Sequence, residues 1–387
     1  MANTPPSLLE MMAALIAAPS MSSVSPAYDT DNRAVIDLLA VWLGDLGFRV
    51  EILPLPKQPH KANLIATLGH GSGGLVLAGH TDTVPYDEGR WQHDPFHLTE
   101  QGGRLYGLGT SDMKGFFALA IEAAKAFHAQ QLRQPLIILA TADEESSMEG
   151  ALALVELGRP KARYAVIGEP TGLRPVNAHK GIMMESVRLT GRTGHSSDPS
   201  LGLNAIEGMH AVIGDLLQWR EELQGRHHDP RFTVPQPTLN LGHIHGGDNP
   251  NRICGCCELH LDLRPVPGMA LEDLRETLNQ RLAVLLGETG FQWELSPLFV
   301  GTPAMHTDRA SAIVQAAEKM TGHDSEAVAF CTEAPYLNAL GMETIILGPG
   351  DIAQAHQPDE YLALDRIQPT VDLLTGLIRK FCTATGP

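Results

Sequence analysis

The sequence predicts an α/β fold: a domain with a central, mostly parallel sheet flanked by helices, plus an inserted α+β domain. Three observations predict it. Short apolar runs of strand length recur between helical segments, as expected of strands buried on both faces. Those runs lead to His, Asp or Glu, and in open α/β sheets sites lie outside the carboxyl ends of strands. The middle of the 387-residue chain changes to strands that alternate apolar and polar residues.

The elements follow in order. The N-terminal stretch 1–20 lacks a basic n-region and carries Glu10 within its apolar run, so it reads as an amphipathic first helix rather than a signal peptide. Over 31–47, Val35, Leu38, Leu39, Trp42, Leu43 and Leu46 recur at helical spacing, and Gly47 is a natural stop. The run Gly74–Ala78 then leads to His80, Leu136–Ala140 to Asp143–Glu144–Glu145, and Tyr164–Ile167 to Gly168–Glu169. Glycines in Gly107–Gly115 allow a tight loop carrying Asp112 before a helix that starts near 115. The run Thr344–Leu347 opens a Gly/Pro loop that precedes His356.

Between these segments the pattern differs. Ser186–Thr190 alternates, a helix is expected near 203–224, and Leu259, Leu261 and Leu263 alternate with Glu258, His260, Asp262 and Arg264. That is the signature of a half-solvated antiparallel strand. With a helix near 269–286, this bounds an inserted domain at 182–298, leaving 1–181 and 299–387 as the discontinuous catalytic domain.

Composition narrows the function. At about 150 residues per domain, the length suits two to three domains. Twenty-eight Lys+Arg against forty-five Asp+Glu give a net charge of −17 without a basic cluster, which argues against a nucleic-acid partner. Hydrophobic residues, 43% of the chain, are too many for a disordered segment. Cys254, Cys256, Cys257, Cys331 and Cys382 are odd in number and form no paired framework. They read as reduced thiols in a cytoplasmic protein, with the Cys254–Cys257 run packing in a strand. No run approaches the roughly 18 apolar residues of a membrane span.

Two histidines and three carboxylates carry the chemistry: His80, Asp112, Glu145, Glu169 and His356. This donor set suits a borderline divalent cation such as Zn²⁺ or Co²⁺. One carboxylate can bridge two metals about 3.5–4 Å apart, and Asp112 in its glycine loop is the natural bridge. Asp82 can accept the second imidazole N–H of His80. Of the adjacent acids Glu144 and Glu145, one can bind metal while the other faces water. Taken singly, each residue also has an ordinary explanation: a loop histidine, a helix N-cap for Asp112, an acidic turn, or a strand end.

The motifs Gly79–Pro85, Gly109–Gly115, Asp143–Glu145, Glu169–Thr171 and Gly194–Ser197, in that order, resemble the M20 metallopeptidase and aminoacylase family. Narrower stretches are Leu239–Gly247, Asn251–Glu258, Cys331–Pro335 and Gln354–Tyr361. They resemble the branch that hydrolyses N-acetyl-L-ornithine to acetate and L-ornithine in arginine biosynthesis. The resemblance implies two zinc or cobalt ions per subunit and a homodimer formed by the inserted domain. It implies that His80 and Glu169 bind one metal, Glu145 and His356 the other, and that Asp112 bridges them. It further implies that Asp82 orients His80, that Glu144 is the general base, and that His195 reaches the developing oxyanion from the other subunit. A cis peptide bond after Asp112 is expected on the same ground.

Substrate contacts follow from chemistry. An α-carboxylate calls for a cationic fork, which Arg264 or Arg252 can supply, although Arg264 can equally pair with Asp262 or Glu258 along its strand. Asn251 matches a substrate-contacting Asn of related enzymes. Thr332 and Glu333 stand where a related desuccinylase has a Gly-Thr-Ser-Asp type sequence, and Glu333 is assigned to the side-chain ammonium of ornithine. The rival readings are another amidohydrolase of the family, such as a succinyl-diaminopimelate desuccinylase or a di- or tripeptidase, and a non-catalytic binding protein on the same scaffold.

Overall fold

The computed structural model describes residues 5–383. The chain divides into two compact units: Met1–Asn177 with Thr307–Glu326 and Thr332–Pro387, and Ala178–His306 with Ala327–Cys331. The second is wider than the 182–298 read from the sequence, because the outgoing and returning chain pair with each other. Ile182 bridges Thr302, and His179 and Ala178 pair with Met305 and His306.

In the first unit, six strands lie in the order Arg49–Pro54, Ala62–Leu68, Leu136–Thr141, Leu75–His80, Tyr164–Pro170, Glu343–Gly348. The last four run parallel; antiparallel pairing flanks them on both sides, from Arg49–Pro54 and Ala62–Leu68 at one edge and between Ile346 and Val176 at the other. Leu75–His80 and Leu136–Thr141 are buried at every position, which is why they read as continuous apolar runs rather than alternations. Helix Gly115–Ala124 connects these two, and helix Glu149–Leu157 leads on to Tyr164–Pro170. Parallel register brings their carboxyl ends to one edge, with His80 opposite Thr141.

Two glycines let helix and sheet approach at that edge. A Cβ on Gly79 would lie 2.4 Å from Met113 Cε, and one on Gly168 would lie 2.1 Å from Phe116 Cγ. Each immediately precedes a candidate ligand, His80 or Glu169, so the first turn of helix Gly115–Ala124 presses directly on the strand ends that present them.

The second unit is an antiparallel sheet in the order Thr238–Gly246, Cys256–Arg264, Met183–Thr190, Gln292–Pro297. Cys256–Arg264 alternates buried and half-buried positions along its length. Val187, Leu259, Leu261 and Leu263 pack with Met209, Leu216, Leu278 and Leu282 of helices Ala205–Arg226 and Leu271–Leu286. Cys254 and Cys257 belong to this core, where the sequence pattern put them. Among the described residues, no helix is long and apolar enough to cross a membrane.

Candidate metal centre

His80 closes its strand and is 1% exposed. Its Nδ1–H donates to the Asp82 main-chain carbonyl at 2.8 Å. Its Nε2 faces Asp112 Oδ1 at 3.1 Å and Glu169 Oε1 at 3.8 Å. The Asp82 carboxylate is not the partner expected from the sequence. It stands 3.9 Å from Nδ1, because the chain turns just after the strand and curls the nearer carbonyl back onto the ring. Asp82 Oδ2 instead accepts the Glu145 N–H at 3.0 Å, so this buried acid ties the His80 turn to the loop carrying Glu144 and Glu145.

That loop has a second anchor. Asp143 has φ 65° and accepts Ser22 Oγ (2.7 Å), Gln58 Nε2 (2.6 Å), Lys61 Nζ (2.5 Å) and Ser147 Oγ (2.9 Å). The Lys61–Asp143 pair is almost fully buried. With these bonds Asp143 holds the turn and leaves its two neighbours free to face the centre.

Asp112 faces two histidines with its two oxygens. Oδ1 lies 3.1 Å from His80 Nε2, and Oδ2 lies 3.5 Å from His356 Nε2. His356, half-exposed with φ 60°, also meets Glu145 Oε2 at 3.1 Å and Oε1 at 3.2 Å. The peptide bond after Asp112 is cis. The N-cap of the following helix is Lys114, so Asp112 is not engaged in capping. The donor atoms of His80, Asp112 and Glu145 all lie within 4.8 Å of one another, as do those of His80, Glu144 and Glu169. Ligands about 2.0–2.2 Å from a tetrahedral ion stand about 3.3–3.6 Å apart, so these separations fit a divalent cation.

The electrostatics agree. Burial opposes a charge on His80, yet Glu169, Asp112 and Asp82 outweigh it and raise its pKa well above the usual value. Burial and the charge of Glu169 push the Glu144 carboxyl well up. Burial likewise raises Glu169, reinforced by Asp112, Glu145 and Glu333 against the opposing effect of His80. Asp112 is also buried, but the bond to His80 and the charges of His80 and His356 hold it below the usual range. His356 is raised to about 9, chiefly by its bond to Glu145. These buried carboxylates crowd one centre, and a divalent cation satisfies their oxygens.

Two further groups lie near the centre without a role read from the sequence. Lys114 is fully buried and donates to the Ala18 carbonyl at 2.9 Å; burial lowers it to about 8, against Glu360 and Asp82. Glu360 is buried and accepts main-chain N–H groups of the Asp112 loop. Both belong to motifs that local pattern reading picks out, but only long-range contacts distinguish them from their neighbours.

Glu333 joins the cluster too. It is 1% exposed, neither carboxylate oxygen has a hydrogen-bond partner, and burial raises it to about 7. The neighbouring Thr141 hydroxyl donates to the Gly79 carbonyl instead. Thr332, also buried, accepts the Ala334 N–H. Beside His356, a cleft of 190 Å³ is lined by Tyr86, Asp87, Trp91 and Leu108.

The remaining candidates belong to the second unit. His195 is exposed and bridges Arg252. Its Nδ1 lies 2.7 Å from the Ser197 hydroxyl and accepts the Ser197 N–H at 3.2 Å. Arg252 pairs with Asp248, and Arg264 pairs with Asp262 at 3.0 Å along its strand. Asn251 is exposed, and its carbonyl accepts the Ser196 N–H.

Comparison with known proteins places these features in context. Residues 76–380 match the model of "Peptidase family M20/M25/M40". An acetylornithine deacetylase of Pasteurella multocida (strain Pm70) is 52% identical over 378 residues, covering 98% of this chain and 99% of its own. Another, of Edwardsiella ictaluri (strain 93-146), is 54% identical over 377 residues, covering 97% and 98%. Among solved structures, a dinuclear metal-binding peptidase of the M20 family from Bacillus subtilis superposes with a TM-score of 0.68 at 16% identity, covering 96% of each chain.

Proposed function

This chain belongs to peptidase family M20/M25/M40, and on that premise we propose that it is a metal-dependent amidohydrolase that converts N-acetyl-L-ornithine and water to acetate and L-ornithine in arginine biosynthesis. The observation that carries the reaction class is Asp112, whose two oxygens face two different histidines, each with further carboxylates beside it. The substrate rests on the names of relatives more than half identical along the whole chain.

When bound, a pair of zinc or cobalt ions supplies Lewis acidity that polarises the amide carbonyl and acidifies water. His80 and Glu169 would hold one ion, Glu145 and His356 the other, with Asp112 shared. Asp82 positions the His80 turn through its carbonyl and the Glu145 loop through its carboxylate. Glu144, whose pKa burial raises, receives the proton of the attacking water and returns it to the leaving nitrogen. His195, from the partner copy of a cytoplasmic homodimer, donates Nε2–H to the developing oxyanion. Asn251, Arg252 and Arg264 meet the α-carboxylate, and Thr332 and Glu333 the side chain.

Activity tests the reading directly. Metal-dependent release of acetate from N-acetyl-L-ornithine, with little release of succinate from N-succinyl-diaminopimelate, is the expected result. Preference for the succinylated compound would keep the metal chemistry and overturn the substrate.

Glu333 supports a sharper test. A buried carboxylate without a partner is costly, and either a proton or a substrate ammonium can satisfy it. If the ammonium does, Glu333→Gln raises KM for N-acetyl-L-ornithine by about 10–100-fold, as expected for losing a charge-assisted contact of about 1.5–3 kcal/mol. KM for N-acetyl-L-norvaline, which has no ammonium, stays nearly unchanged. Equal effects on both substrates would assign the site to a proton instead.

A further inference from the structure

Glu360 accepts more main-chain hydrogen bonds than its place in a short strand-leading segment requires. It is 1% exposed. Its Oε1 accepts the N–H groups of Gly109 (3.1 Å), Ser111 (2.7 Å) and Asp112 (2.9 Å), and its Oε2 lies 3.1 Å from the same Gly109 nitrogen. Its main-chain carbonyl accepts Gly107 N–H at 3.0 Å. The loop from Gly107 to Asp112 is therefore wrapped around one side chain that lies about 250 residues further along the chain.

The same segment carries His356 four residues earlier. It is fixed on its other side by Asp359, whose Oδ1 accepts the N–H groups of Gln92 and His93 at 3.0 Å each. Immediately after Glu360, Tyr361–Ala363 pairs with Arg104–Tyr106, the strand that enters the Asp112 loop. Asp112 and His356 thus stand on two irregular loops, neither of which is part of the sheet. Their 3.5 Å separation depends on whatever joins those loops. Glu360 joins them at the Asp112 end with three main-chain N–H bonds, beside the Ser111 hydroxyl, which accepts the Asp351 N–H at 3.1 Å.

Resting on the metal-dependent reading above, we propose that Glu360 is a positioning residue that fixes Asp112 relative to His356 and so sets the affinity of the metal position these two share. It acts as an acceptor of fixed reach. Without it, three N–H groups in a buried loop lose their partner, and the loop must shift to find others. Metal affinity responds to such supporting bonds because ligands that move by a fraction of an ångström no longer match the coordination distances.

The reach argument separates three variants. In Glu360→Gln, the amide oxygen can take the place of Oε1 and keep the Ser111 and Asp112 bonds, while the amide NH2 faces the Gly109 N–H, which is left to Oε1 alone. Glu360→Asp keeps the carboxyl group but is one methylene too short. Glu360→Ala removes the acceptor. Calorimetric titration of Zn²⁺ or Co²⁺ into the metal-free protein, with the Co²⁺ visible spectrum as a second readout, measures each metal equivalent separately. The Ala and Asp variants are expected to bind one of two equivalents about 10–100-fold more weakly and to change the Co²⁺ spectrum. The Gln variant is expected to stay close to the parent in both.

Wild-type affinity for both equivalents in the Asp variant would overturn the proposal, whatever its melting temperature, because it would leave Glu360 a purely structural residue. Loss in the Gln variant as large as in the Asp variant would also overturn it, by making charge rather than reach decisive. Fewer than two equivalents taken up by the parent protein would instead remove the two-metal reading, and this proposal with it. If Glu360→Ala fails to fold, the Asp and Gln pair still decides.

Discussion

Glutamine in place of Glu144 is expected to lower kcat on N-acetyl-L-ornithine by about 10²–10⁴-fold, the usual worth of a general base, with both metal equivalents retained. The substitution preserves volume and one acceptor oxygen but removes the ability to take a proton. Two facts make this a demanding test. The Glu144 carboxylate lies within 4.8 Å of donor atoms of His80 and Glu169, close enough to serve as a ligand itself. Burial and the charge of Glu169 also favour its protonated form. A base and a ligand differ in what the Gln variant does to metal binding. Full metal content with a collapsed kcat and a similar KM assigns Glu144 to proton transfer. Loss of one equivalent would assign it to the metal and leave the base to be found elsewhere.

Removing the metals is expected to abolish turnover altogether, with recovery on adding Zn²⁺ or Co²⁺. Dialysis against a chelator followed by an acetate-release assay measures it. The same treatment should lower the melting temperature by several degrees. An ion present at about 100 times its Kd stabilises the folded chain by about 2.7 kcal/mol, and a shift of that size is readily seen in a thermal scan. The physical reason is the density of acids at the centre: Asp82, Asp112, Glu144, Glu145 and Glu169 gather around two histidines, with Lys114 the buried cation beside them. Full activity in the chelated protein would end the metal-dependent reading.

Much of the fold was legible because it is written in neighbouring residues. The runs Leu75–His80 and Leu136–Thr141 are apolar at nearly every position because both faces of these strands are covered. Cys256–Arg264 alternates because one face meets helices and the other does not. Polar residues immediately after the parallel strands mark the edge where a site can form, which singles out His80, Glu144, Glu145 and Glu169. The first-helix reading was similarly local: the stretch 1–20 read as amphipathic contains the helix Leu8–Ile16, with Met11, Met12, Leu15 and Ile16 buried.

The partner of His80 shows where local reading stops. A carboxylate two residues away looks like the acceptor for its N–H, yet the Asp82 carbonyl takes that place and the carboxylate goes to Glu145 N–H. Which of two acceptors on one residue is nearer depends on how the chain turns after the strand, and composition does not encode that turn.

By itself, then, the sequence determined the strands, the inserted half-solvated sheet and the residue types able to bind a cation, since periodicity and residue chemistry are local properties. Only the tertiary structure decided that Asp112 faces His80 with one oxygen and His356 with the other, that Gly79 and Gly168 admit Met113 and Phe116 against the strand ends, and that Glu360 gathers the Asp112 loop. Each of these joins residues dozens to hundreds of positions apart. Their meeting is set by strand order and parallel register, which bring distant carboxyl ends to one edge of the sheet and which no short window of residues specifies.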